Sequence, residues 1–205
     1  AKGLPLVNLI ALEPGEAVTS LIAVPDFNEA DYLVMATLKG RIKRTILKEY
    51  SSVRSNGLIA IGLDEGDQLR WVRTSKGDED VLMTTRHGQT IRFSQSEARP
   101  MGRPASGVIG IKLSGDDEVI GMEITQPDSQ LLIVTAKGMG KRTDLEEYPI
   151  KGRATQGVIT IRLKKGDEIA AAHGVRADHV VTIITRNGIV MRTRADGISC
   201  YGRAT

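Results

Sequence analysis

Arginine recurs at two fixed phases of this sequence. Arg44, Arg92, Arg142 and Arg192 follow one another at intervals of 48, 50 and 50 residues, and Arg54, Arg103, Arg153 and Arg203 at intervals of 49, 50 and 50. A guanidinium is always charged and offers a planar fork of donors matched to phosphate or carboxylate oxygens. Repeated at near-equal steps, it offers ion pairing to a long, anionic, repetitive partner. The first set lies in four windows, TLKGRIKRT (37–45), TRHGQTIRF (85–93), TAKGMGKRT (135–143) and TRNGIVMRT (185–193). These windows hold eleven Lys and Arg and no Asp or Glu: Lys39, Arg41, Lys43, Arg44, Arg86, Arg92, Lys137, Lys141, Arg142, Arg186 and Arg192. With Arg54, Arg103, Lys151, Arg153, Arg194 and Arg203 they make up the candidate contact set. Four other windows, 12–18, 63–69, 113–119 and 163–169, hold ten acids opposed only by Lys164 and Lys165. Charge is sorted by phase within the repeat, which the net +3 conceals.

No set of residues converges on bond-making chemistry. His87, His173 and His179 lack metal-ligand spacing to one another or to Cys200, and Cys200 has no evident base. The acidic runs SGDDE and DEGD lack the alternating ligands and distal Glu of a calcium loop, and no glycine turn ends in Gly-Lys-Ser/Thr. Tyr50, Tyr148 and Tyr201 precede the inter-repeat links and read as packing residues. Aromatics make up 3% of the chain, which argues against base stacking on aromatic platforms. The expectation is a non-catalytic protein with no metal and no cofactor. One cysteine excludes an internal disulfide and fits a reducing compartment. With no membrane-length apolar run and no signal-peptide pattern, a cytoplasmic location is expected.

Repeated elements must position these residues. Four segments align, GLPLVNLIALEPGE from Gly3, GLIAIGLDEGDQL from Gly57, GVIGIKLSGDDEV from Gly107 and GVITIRLKKGDEI from Gly157. The turn glycines Gly40, Gly88, Gly138 and Gly188 keep the same period. The units run 3–56, 57–106, 107–156 and 157–205 within one domain, 1–205. Each unit predicts a first strand such as GVITIRL, with Ile159, Ile161 and Leu163 on one face. An acidic turn, a second strand and a polar loop follow, then an apolar third strand (YLVMAT, VLMTT, LLIVT, VVTIIT). The basic turn and a fourth strand close the unit. Four strands in about 50 residues is the arithmetic of a propeller blade, and the fold class is all-β.

GLPLVNLIALEPGEAVTSLIAV (3–24), GRIKRTILKEYSSVRSNGLIAIGL (40–63) and YPIKGRATQGVITIRL (148–163) resemble the C-terminal domain of the DNA gyrase A subunit, over essentially the whole chain. The resemblance implies a β-pinwheel, a propeller-like ring or arc of four-stranded blades that exchange hairpins. It implies sequence-independent binding and wrapping of duplex DNA on a basic rim, with the candidate residues above as contacts. It also implies service to ATP-dependent negative supercoiling in the bacterial cytoplasm, at the nucleoid, beside the gyrase A breakage-reunion domain and the gyrase B subunit. The family has six blades against four units here, so a fragment is expected. The family's Gln-Arg-Arg-Gly-Gly-Lys-Gly box does not occur in the sequence. The related topoisomerase IV A-subunit domain and a propeller-type protein-interaction scaffold are the alternatives; the regular links favour gyrase, and a salt-dependent duplex affinity separates either enzyme from a scaffold.

Overall fold

Four short apolar strands, each followed by a glycine turn and a second strand, form the centres of four successive sheets. The computed structural model describes residues 12, 15–24, 26–27, 32–52 and 57–205. The start of the first unit, from Gly3, lies outside the described residues. The central hairpins are β1 (Tyr32–Thr37) with β2 (Arg41–Ile46), β4 (Asp80–Thr85) with β5 (Gln89–Ser94), β8 (Gln130–Thr135) with β9 (Gly140–Asp144), and β12 (Val180–Ile184) with β13 (Val190–Arg194). Around them lie β3 (Leu69–Ser75), β7 (Val119–Ile124), β11 (Ile169–Val175) and the two-residue β6 (Val108–Ile109) and β10 (Val158–Ile159). Among the described residues there is no α-helix; single 3-10 turns follow the second strand of each hairpin.

The first two sheets are four-stranded, as the repeat predicts, but the strands of each come from three consecutive units. The sheet orders are β3-β1-β2-β6, β10-β5-β4-β7 and β11-β8-β9, with β12-β13 alone as a fourth. In the first three sheets one edge of the central hairpin takes a strand from the next unit, and in the first two the other edge takes a short strand from the unit after that. This is the strand exchange of a β-pinwheel. The strands β3, β7 and β11 neighbour one another across successive blades, so they mark the inner edge of the assembly. There Glu123 bridges Arg73 and His173, each at 3.0 Å. Burial alone would raise the Glu123 pKa, but hydrogen bonds from His173 and Arg73 outweigh it and hold the carboxyl below its ordinary value. The strands β6 and β10 lie on the opposite, outer edge.

The expected seven-residue first strand is cut to two residues. Ile159 is 42% exposed while Thr160 is fully buried, opposite to the simple alternation. The ladder ends because the turn glycine's carbonyl captures the departing chain: Gly110 N donates to Gly40 O at 2.9 Å, and Thr160 N to Gly88 O at 2.9 Å. A Cβ on Gly40, whose φ is +87°, would stand 2.8 Å from Ile111 O. Gly107, at φ +80°, lets the link reach β2, since its Cβ would lie 2.3 Å from Ile42 O.

The central strands β1, β4 and β8 read as unbroken apolar runs because both faces are covered, whereas β12 is half-exposed. On β1, Leu33 and Met35 pack on one side with Leu47 and Ile61, and Val34 and Ala36 on the other with Val81, Met83 and Phe93 of the next blade. Leu82, Leu131, Ile133 and Tyr148 fill the second junction, and Leu132, Val175 and Ala195 the third. Burying each such large side chain contributes roughly 1.5–3 kcal/mol.

Candidate nucleic-acid interface

Strand exchange gives every blade two unlike ends. Thr37 pairs with Leu69 and Tyr32 with Ser75, so the basic hairpin turn and the acidic turn of the next unit meet at one end. Asp67 Oδ1 accepts from Lys39 N and Gln68 N, both within 2.9 Å. Asp117 does the same for His87 and Glu118, and Asp167 for Lys137 and Glu168. These aspartates pin one turn upon the other. Side chains follow: Arg41 pairs with Asp64 at 2.5 Å, and Arg86 stands 3.3 Å from Glu118 and 3.6 Å from Asp116. Lys39 Nζ and Lys137 Nζ donate to the carbonyls of Glu65 and Lys165. The turns that are acid-free in sequence are thus supplied with acids by the following unit.

The repeated slot Arg44, Arg92, Arg142 is expected on an exposed rim, and the structure places it at the blade junction instead. Arg44 is 7% and Arg142 8% exposed. Each guanidinium meets the first residue of its own hairpin. Arg44 stacks 4.5 Å from the Tyr32 ring, Arg92 Nε donates to Asp80 at 2.9 Å, and Arg142 bonds Gln130. A second arm reaches the next 3-10 turn, from Arg92 to Leu145 O at 2.8 Å and from Arg142 to Ile198 O at 2.8 Å. The slot is a clasp between successive units. Arg192 is exposed; Val180, at the matching position, offers it no polar partner.

Lys43 and Lys141 are also buried, at 0% and 3% exposure. Lys43 Nζ donates to Ala60 O at 2.6 Å and to Arg103 O, and Lys141 Nζ to Gly202 O at 2.7 Å. Burial lowers the Lys43 pKa to about 8 and moves Lys141 in the same direction. Neither ammonium is available to a partner, because each holds a link against the blade. Tyr148 is buried and bonds Thr160, as the packing reading expects, whereas Tyr201 is 52% exposed.

The links themselves lie along the outer edge. Residues 98–101 run beside β2, where Met101 N donates to Arg44 O, and Lys151 and Tyr201 repeat the contact on Arg92 and Arg142. Arg153 bonds Glu97 O and Ile109 O, and Arg203 bonds Glu147 O and Ile159 O, so each half-buried guanidinium bridges two blades. Arg103 is half-buried, Lys151 is exposed, and Arg54 lies outside the described residues. Residues 98–113 and 148–163 each carry three basic residues and no acid. Three exposed members of this surface, Arg99, Lys112 and Arg162, are missing from the sequence-derived candidates. The matched slots of Lys112 and Arg162 in acid-free links are the signal that identifies them.

The other end of the blades is acidic. Asp78, Glu79, Asp128, Asp144 and Glu146 line one cleft there. Arg194, on that end, is paired with Asp196 at 2.7 Å, while Arg186 is exposed on the fourth hairpin turn. Among the described residues no group of His, Cys, Asp and Glu could hold a metal, and no helix is long and apolar enough to cross a membrane. Among those residues, acids cluster at one end of the blades, acids meet bases in pairs at the first two junctions of the other end, and the outer links carry bases without acids of their own.

The family model described as DNA gyrase C-terminal domain, beta-propeller, matches residues 31–76, 79–126, 129–176 and 179–205. The DNA gyrase A subunit of Clostridium acetobutylicum is 45% identical over 105 residues, which is 51% of this chain and 13% of that protein. Its Staphylococcus epidermidis counterpart is 47% identical over 107 residues, 52% of this chain and 12% of that protein. Among solved structures, the C-terminal domain of DNA topoisomerase IV superposes with a TM-score of 0.91 at 26% identity, covering 99% of this chain and 64% of that one. A DNA gyrase A C-terminal domain superposes with a TM-score of 0.89 at 24% identity, covering 99% of this chain and 69% of that one.

Proposed function

The chain belongs to the family of DNA gyrase C-terminal domains, and from that premise we propose that it is a non-catalytic module that binds and bends duplex DNA. The duplex runs along the outer links, where Arg99, Arg103, Lys112, Lys151, Arg153, Arg162 and Arg203 meet phosphates whatever the base sequence. Bending a stiff duplex costs several kcal/mol, which a series of phosphate contacts offsets. In the whole enzyme, a bacterial cytoplasmic topoisomerase, the bent segment is handed to the gyrase A breakage-reunion domain and drawn into ATP-driven supercoiling with the gyrase B protein. The observation that carries this reading is the run of bases along the outer links, whose residues 98–113 and 148–163 hold no acid of their own and meet Glu97 at Arg153 N, beside an acidic blade end. The gyrase reading is favoured over topoisomerase IV by relatives near 45% identity over half the chain.

Titrating a labelled duplex with the protein between about 50 and 200 mM KCl tests it. Expected are an affinity that falls steeply and log-linearly with salt and equal affinity for unrelated sequences. A protein that leaves the duplex free at the lowest salt is a scaffold and not a DNA module.

A further inference from the structure

The pairing of basic turn with acidic turn fails at one junction. At the first, Lys39 and Arg41 face Asp64, Glu65 and Asp67; at the second, Arg86 faces Asp116, Asp117 and Glu118. At the third, the positions of Asp64 and Glu65 are taken by Lys164 and Lys165. Lys137 Nζ donates to Lys165 O at 3.0 Å, so the third hairpin turn seats on this run as the first seats on Glu65. Lys137, Lys164 and Lys165 are all exposed. Asp167 offsets part of the Lys137 charge, but Lys164 and Lys165 form no ion pair among the described residues. Asp167 Oδ1 is committed to the amides of Lys137 and Glu168, and Glu168 lies 3.8 Å from Arg86 of the neighbouring turn.

These lysines continue the outer surface. Arg162 is exposed on the link and stands two residues before Lys164, so the basic track turns the corner from the outer edge onto the turn end. At the second junction the same corner runs from Lys112 into Asp116 and Asp117, which closes it to an anion.

We propose that Lys137, Lys164 and Lys165 form a phosphate-contact site that draws the duplex off the outer edge toward the turn end at the third junction. The site rests on the DNA-binding reading above and adds a direction to the path, since of the three junctions described only this one lets phosphates leave the plane of the links.

The test is the K164D/K165E variant, which installs the first junction's own Asp-Glu-Gly-Asp turn. Gly66 and Gly166 have φ of +69° and +70°, so the backbone accepts the exchange. In the duplex titration the salt slope should fall by about 2, since each phosphate contact contributes about 0.9. Thermal unfolding should be little changed; K164Q/K165Q serves if the acidic pair perturbs folding, with the same fall expected. Wild-type binding with an unchanged slope in a folded variant overturns this site alone. Absence of binding by the wild type overturns it together with the reading beneath it.

Discussion

Replacing Arg92 by Ala separates a structural arginine from a phosphate-binding one. The guanidinium holds Asp80 at 2.9 Å and Leu145 O at 2.8 Å, with side chains only 18% and 15% exposed across the ion pair. Removing one partner of a fully buried pair costs about 3–5 kcal/mol. Asp80 is at the first residue of β4, where water can partly replace the lost donor, so the value falls below that range. A charge-assisted hydrogen bond of about 2 kcal/mol and a carbonyl bond of about 1 kcal/mol give a loss of about 2–3 kcal/mol. For a chain of this size that lowers Tm by roughly 5–10 °C. The salt slope of duplex binding should not move, because the guanidinium is mostly buried and committed to Asp80 and Leu145 O. Arg92→Lys retains the charge without the two-armed fork, so an intermediate Tm with wild-type binding is expected. The assays are differential scanning calorimetry and the duplex titration, run on the same preparations. An unchanged Tm with a slope lowered by about one would refute the clasp and return Arg92 to the DNA surface.

Arg162→Ala and Lys112→Ala should each lower the salt slope by about 0.9 with Tm nearly constant, as read by the same two measurements, because both side chains are exposed on acid-free links. Lys43→Met should flatten the pH dependence of stability. The folded-state pKa near 8 lies below the ordinary value of 10.5, so between those limits the unfolded chain binds the extra proton and wild-type stability rises with pH. Urea melts across that window should show the wild type gaining on the variant by up to a few kcal/mol, at about 1.4 kcal/mol per pKa unit. A difference that stays constant with pH would mean the ammonium is not desolvated.

Much of the fold was legible because its causes are local. YLVMAT and LLIVT announce strands covered on both faces, and a glycine every 50 residues or so marks turns that need positive φ. The all-β class follows from that pattern. The short outer strands were overestimated for a physical reason. GVITIRL has the right residues for seven paired positions, but the carbonyl of Gly88, a turn glycine two units upstream, captures the chain after two.

The division is sharpest for charge. The order of residues is enough to establish that arginine recurs at two phases, that acid and base occupy separate windows, and that the links carry no acid. It does not establish which base meets which acid. Strand exchange brings Arg41 to Asp64, Arg92 to Leu145 O and Arg153 to Ile109 O, across 23, 53 and 44 residues. Windows separate along the chain therefore neutralise one another in space, and the most regular arginines become clasps. A residue's charge is a property of its type, but the field around it depends on where exchanged strands deliver its neighbours, and that is fixed only when the chain has folded.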